Sequence, residues 1–417
     1  MSKNRIAALL VLLFTVCSCF KDPDFDSGFP GADSGGRSLP ERAYSEPSRR
    51  VMLMVSAGFN SLSNYLSQDL LDMEQGYLPE GTAFTQDVVL VLSRLPQNYG
   101  DYSVECPPVL YRLYLDRENF VKRDTLKIWA DDTPLCQKET LQDALLFIQR
   151  KFPAKGYGMV FSSHASGWLP EGYYADPSKY EKGSGKGYRS IGQDVTPSGS
   201  GLEMELKDFA DAIPMHLDYL LLDACLCGGV EVAWQLREKT DMIGFSPTEI
   251  LADGFDYINL TRRLLASVPD PVDVCREYFQ YYDSKSGSSR SATITAVDTR
   301  KMEPLAQLCR TLFEKYRLVI RTLNGNRVQG YFRYDRHYFY DLKDILVQAG
   351  ISKEEESQLD AALEACILYQ AATPSFLDIS LDRVCGLSMY LPSMGTDFLN
   401  QFYKDQMAWN EATSLVK

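Results

Sequence analysis

The sequence predicts an α/β protein built on a largely parallel β-sheet flanked by helices. Three observations predict it. From Arg49 to about residue 300, short apolar runs alternate with helix-period segments, the order expected of βαβ units. Runs such as Tyr219-Leu220-Leu221-Leu222 are apolar without alternation, as strands buried on both faces are. Beyond residue 300 the spacing becomes mostly helical, so a helical C-terminal region completes the fold.

The elements follow in order. Residues 51–56 read as a strand and 62–73 as the helix after it. Residues 88–92 form a second strand, bounded by Pro96, and 109–115 an extended segment. Residues 141–152 have helical spacing and stop at Pro153. A strand over 158–163 ends at His164. Residues 171–201 read as a long polar insertion rich in Gly, Ser, Lys and Tyr. A short helix over 206–213 stops at Pro214, and a strand over 219–222 ends at Asp223. Helix 230–238 and strands 242–246 and 292–297 come next. Ser352 and Glu355 have the spacing of a capping box. Behind them Leu359, Ala362, Leu363, Cys366 and Ile367 share one helical face, which makes Cys366 a core residue. A late strand is expected around 387–391.

The N-terminus predicts export. Lys3 and Arg5 precede an apolar run over 6–16. That is too short to span a bilayer, which takes about 20 residues, and suits a secretory signal. Val16-Cys17-Ser18-Cys19 resembles a bacterial lipobox, with Cys19 as the lipidated residue because small Ser18 precedes it. Residues 1–18 are then the signal and 19–47 a flexible tether rich in Gly, Ser and Asp. Residues 48–300 are the expected main α/β domain and 301–417 the C-terminal helical region. Lys21, Asp22, Asp24 and Asp26 resemble the signal that sends some bacterial lipoproteins to the cell surface. The expected location is the cell envelope, with a lipid anchor in the outer membrane.

Composition excludes several classes. The 417 residues carry 43 Lys and Arg against 56 Asp and Glu, a net charge of −13. Such a surface repels phosphate backbones, so no nucleic-acid partner is expected. The ten cysteines show no disulfide framework, and Cys225-x-Cys227 lacks a second ligand pair at zinc-site spacing. No metal or other cofactor is implied. There is no Walker A loop, no H-E-x-x-H and no G-x-S-x-G.

What remains is a Cys and a His, each at the C-terminal end of an apolar strand. In parallel sheets this is where ligands bind. Ala165, Ser166 and Gly167 follow His164; Gly228 and Gly229 lie just beyond Cys225. Small residues let a substrate backbone approach, and free amides there can hold an oxyanion. A thiolate is the working nucleophile, and an imidazole nearby favours it.

At these residues the chain resembles the clostripain family of cysteine peptidases, within the caspase-like clan. Ser163-His164-x-x-Gly167-Trp168 is similar to its histidine motif, and Asp223-Ala224-Cys225-Leu226 to its nucleophile motif. Gly254-Phe255-Asp256-Tyr257, Asp341-Leu342 and Gly386-Leu387-Ser388-Met389-Tyr390-Leu391-Pro392 resemble later motifs of the family. The resemblance covers roughly residues 48–415. It implies a caspase-like fold and endopeptidase activity on protein or peptide substrates, with Cys225 as nucleophile and His164 as acid and base. It further implies cleavage after Arg or Lys, read by Asp223 and, on a looser local match, Asp253. For Asp253 a surface turn before Gly254 is an equal alternative. Gly167 would line the substrate site, and Cys227 is structural. Cleavage within 171–201, at Lys179, Lys182, Lys186 or Arg189, would be an activation step, although a plain surface loop is the simpler expectation. Ala165 departs from the family's Gly, which would matter if that position needed a positive φ. On that ground a catalytically inactive surface binding module is the alternative, and a transpeptidase a third.

Overall fold

The computed structural model describes residues 50–417 except 82–86, 97, 99, 105, 171–172, 174–190, 196–200, 267 and 334–337. The signal, the tether and Cys19 lie outside the described residues. So do Lys179, Lys182, Lys186 and Arg189.

In chain order the first strands are β1 (Val51–Ala57), β2 (Val88–Arg94), β3 (Val109–Leu115), β4 (Val121–Ile128), β5 (Tyr157–Ser162) and β6 (Ile191–Val195). They are followed by β7 (Gly201–Met204), β8 (Tyr219–Asp223), β9 (Met242–Phe245), β10 (Thr293–Asp298), β11 (Tyr340–Asp341) and β12 (Ile367–Ala372). Among the described residues nine of them form one sheet, in the order β12-β10-β9-β8-β5-β1-β2-β3-β4. The five central strands, β9, β8, β5, β1 and β2, run parallel. Both margins are antiparallel. The central strands are continuously apolar because helices cover both faces.

The first helices are α1 (Ser63–Gln75), α2 (Lys138–Lys151), α3 (Leu206–Ala212) and α4 (Val230–Leu236). After them come α5 (Tyr257–Leu264), α6 (Pro271–Asp283), α7 (Met302–Ile320), α8 (Leu342–Ala349) and α9 (Lys353–Cys366). Strand alternation divides the core in two. Val51, Leu53 and Val55 of β1 join the cluster that includes α2, α3, α4, α7 and α8. Met52 and Met54 join the one that includes α1, α5 and α6.

Four features differ from the sequence expectation. β4 is an edge strand with a charged, half-exposed sequence, VKRDTLKI, so no apolar run announces it. The expected face of α9 stops one residue early: Ile367 opens β12 at the opposite edge of the sheet. Its capping box is present and Cys366 is fully buried. Helices α5 and α6 were not anticipated. Part of the stretch expected to be a polar insertion is a hairpin, β6–β7. It is tied down by Asp194, which is buried against Arg94 at 3.3 Å and accepts the Cys136 amide at 2.8 Å. All eight described cysteines are free.

Candidate active site

Strand register positions the two reactive residues. β5 and β8 are neighbouring parallel strands with Ser162 opposite Asp223. His164 and Cys225 each lie two residues further on, so they leave the sheet side by side at its carboxyl edge. The Ser163 amide donates to the Asp223 carbonyl at 3.3 Å, carrying the alignment past the strand ends.

The chain after Cys225 turns sharply. Leu226 has φ +61°, a left-handed conformation that a branched residue adopts only under constraint. The constraint is visible: its side chain is buried, its amide donates to Thr248 O at 2.9 Å, and the Gly228 amide donates to Ser246 O at 2.7 Å. Gly167, at φ +65°, packs the histidine loop onto this turn; a Cβ there would lie 2.4 Å from the Leu226 carbonyl oxygen. Ala165 is not among the described residues with positive φ; it pairs with Ile191 in an extended bridge. Alanine therefore carries no backbone penalty at this position.

His164 and Cys225 are adjacent but not hydrogen-bonded. The His164 Nε2 lies 2.8 Å from Ser61 Oγ, and its carbonyl accepts from the Gly192 amide at 3.0 Å. Burial pushes its pKa down to about 4, so the ring is neutral at pH 7. The Cys225 Sγ accepts from the Ile250 amide at 3.4 Å and faces the Ile250 carbonyl at 3.8 Å. Burial, then the Glu249 carboxylate, push its thiol well above the usual cysteine range. Glu249 is itself held by Arg333 at 2.7 and 3.1 Å. This arrangement keeps the sulfur protonated. Cys227 is fully buried, and burial pushes its thiol up to about 12 while the Gly167 amide bonds to it.

The two acidic candidates differ. Asp223 is buried, and its Oδ2 accepts from Tyr257 OH at 2.6 Å and Ser162 Oγ at 3.2 Å. Burial raises its pKa, against these bonds. Gly254 lies against it at φ +58°, where a Cβ would be 2.4 Å from Oδ2. Asp253 is exposed and accepts from Tyr281 OH at 3.3 Å. Sequence reasoning missed Ser61, Glu249, Ile250, Arg333 and the buried Asp69. Asp69 had a signal: it shares a helical face with apolar Leu66, Leu70 and Met73. Among the described residues no three His, Cys, Asp or Glu are grouped to hold a metal ion.

The sequence pattern of the clostripain family matches residues 55–414. No curated protein sequence matches the chain. Among solved structures, an inactive zymogen C11 protease from Parabacteroides distasonis is 27% identical, with a TM-score of 0.73 over 88% of this chain and 99% of that one. A secreted C11 cysteine protease from Bacteroides thetaiotaomicron, in complex with an irreversible peptide inhibitor, shares the fold at 22% identity, with a TM-score of 0.72 over the same shares. A family match running almost from the first strand to the C-terminus, on a shared fold, makes this chain a member of the clostripain family and a cysteine-type peptidase.

Proposed function

We propose that the chain is an endopeptidase that uses a Cys225/His164 dyad to cleave after lysine or arginine at the cell envelope, where Cys19 carries its lipid anchor. The placement of His164 and Cys225 on register-matched ends of β5 and β8 carries this reading. The neutral imidazole takes the thiol proton as the sulfur attacks the substrate carbonyl. Backbone amides near Gly167 and Cys225 hold the oxyanion. The imidazolium then gives its proton to the leaving amine. Water attacks the thioester, His164 takes a proton from it, and the thiol is regained as the acid product leaves.

In the described state Ile250 occupies the sulfur. We infer that segment 249–254, whose Ile250 backbone contacts the sulfur, shifts off Cys225 when substrate binds. One structurally similar protein is described as an inactive zymogen, in keeping with that reading. On this reading residues 48–300 are the catalytic domain and 301–417 the helical region that completes it.

The test incubates the soluble body and its Cys225→Ala variant with a peptide library and reads cleavage sites by mass spectrometry. Cuts after lysine or arginine by the wild type alone are expected. Equal cleavage by Cys225→Ala would remove the dyad. Cysteine-dependent cuts elsewhere would remove the specificity but leave the peptidase.

A further inference from the structure

Three neighbouring strands, β8, β5 and β1, deliver three side chains to the carboxyl edge of the sheet. Ser56 of β1 is in register with Ser162 of β5, and Ser162 with Asp223 of β8. The chain leaves β8 toward Cys225, β5 toward His164 and β1 toward Ser61. The strand order therefore puts His164 between the other two. Its ring has two nitrogens. Nε2 meets Ser61 Oγ at 2.8 Å. Nδ1 has no hydrogen-bond partner among the described residues. With Nε2 turned to the β1 side, Nδ1 is the nitrogen left for the β8 side, where Cys225 lies.

The turn that carries Ser61 is fixed from inside. Asn60 is fully buried beside it. The Asn60 Oδ1 accepts the Leu62 amide at 2.9 Å, which closes the turn around Ser61. Its Nδ2 donates to Ala57 O at 2.9 Å and to Gln193 O of β6 at 2.7 Å. Ser163, next to His164, is tied to the same two places. Its Oγ donates to Ala57 O at 2.7 Å and accepts the Gln193 amide at 3.1 Å. The Val195 amide of β6 donates to Phe59 O at 2.8 Å. Strand β6 is thus bonded to the serine turn and to the histidine loop at once. Ser61 itself is exposed, so its side chain is not wedged against the ring by core packing. The backbone turn is what holds it there.

We propose that Ser61 is a positioning residue for His164, with its oxygen accepting from Nε2–H. The neutral ring then carries its lone pair on Nδ1. A hydroxyl can equally donate. A donating Ser61 would put the ring proton on Nδ1 and leave the Cys225 side without a base. In the proposed sense the thiol proton moves to Nδ1 as the sulfur attacks. The ring becomes a cation protonated on both nitrogens, and Ser61 Oγ still accepts from Nε2–H. A hydrogen bond from a charged donor is stronger than one from a neutral donor, so the contact tightens when the proton arrives. The Nδ1 proton then passes to the leaving amine. The proposal rests on the Cys225/His164 dyad and adds the group that sets its tautomer and its ring plane.

The test measures kcat and KM for wild type, Ser61→Ala and Ser61→Thr on one peptide substrate. Beside it, nitrogen NMR of the protein labelled at histidine reads which ring nitrogen carries the proton. The chain has three histidines, and His164→Ala identifies the signals of His164. The wild type should carry the proton on Nε2. Ser61→Ala should lose about five- to tenfold in kcat, the size of one hydrogen bond, with KM changed by less than about twofold. Ser61→Thr keeps the hydroxyl and should recover most of kcat. A wild-type proton on Nδ1, an unchanged kcat in Ser61→Ala, a loss in KM alone, or equal losses in the alanine and threonine variants would each overturn the proposal. Should a variant melt well below the wild type, the wild-type proton position decides. Wild-type cleavage by Cys225→Ala or His164→Ala would instead remove the dyad, and the proposal with it. Inactive dyad variants beside a fully active Ser61→Ala would remove Ser61 alone.

Discussion

The two edges of the parallel sheet carry the same kinds of residue and treat them in opposite ways. At the amino edge, His216 lies 2.9 Å from Asp241, Asp241 lies 3.4 Å from Arg300, and Arg300 bonds Asp298 at 2.8 Å. Each of these side chains has a partner of complementary type within ion-pair distance. At the carboxyl edge, His164 meets only a hydroxyl, Asp223 is held by hydroxyls, and Asp69 faces other carboxylates. None of these three has an oppositely charged partner among the described residues, although this edge also holds the ion pairs Glu249–Arg333 and Asp194–Arg94. Burial moves His164 down and both aspartates up. Electrostatic cost left uncompensated at these three groups, close to the nucleophile, marks the working end of the molecule.

The sharpest way to break this contrast is at the dyad. Cys225→Ala and His164→Ala should each lower peptide cleavage by at least about 10⁴-fold, with little change in thermal melting. A variant of either residue that keeps wild-type turnover would mean the carboxyl edge is strained for another reason. Next in size is Gly254→Ala. Its Cβ would press on Asp223 Oδ2 from a backbone at φ +58°, and the loop should shift at a cost of about 1–3 kcal/mol. Cleavage after lysine should fall with it, while urea denaturation reads the stability loss.

Much of this edge was legible in the sequence. Strands β5 and β8 are apolar runs ending in reactive residues, and the period of two fixes which side chains share a face. What stayed hidden has a common physical cause. β4 and β12 are margin strands, half-exposed and therefore without an unbroken apolar run. The hairpin β6–β7 is held by the buried pair Arg94–Asp194, a contact between segments far apart in sequence. Ser61 and Ile250 touch the dyad only through tertiary packing. Asp69 and Ser56 were readable in principle, as polar residues in positions where the period demands apolar ones. The Ala165 concern came from treating a motif glycine as a conformational need; here the left-handed position is Gly167.

Stability against pH should separate the groups at this edge by sign. The folded pKa of His164 is depressed below its ordinary 6.5. Its contribution is therefore complete above that value and lost as pH falls toward about 4. Asp69 is the reverse. Its folded value is raised above the ordinary 3.8, so its contribution is present below that value and lost as pH climbs. Asparagine does not titrate, so Asp69→Asn should melt higher than wild type, by about 1 °C at pH 8 for about 1 kcal/mol, and the gain should shrink at pH 5. A variant that melts lower at both values would place Asp69 among residues that hold the fold together.

The smallest effect is expected at the opposite edge, and it tests the contrast from the other side. The His216 and Asp241 side chains are 52% and 36% exposed, so water already screens their interaction. Exposed pairs of this kind contribute about 0–1 kcal/mol. His216→Ala should change the melting free energy by about 0.5 kcal/mol or less and leave kcat/KM on lysine peptides untouched. Both edges belong to β8, with His216 just before the strand and Cys225 just beyond it, so a change transmitted along the strand would show in cleavage. Unchanged cleavage would confine the chemistry to the edge where burial, rather than an ion pair, sets the state of His164 and Cys225.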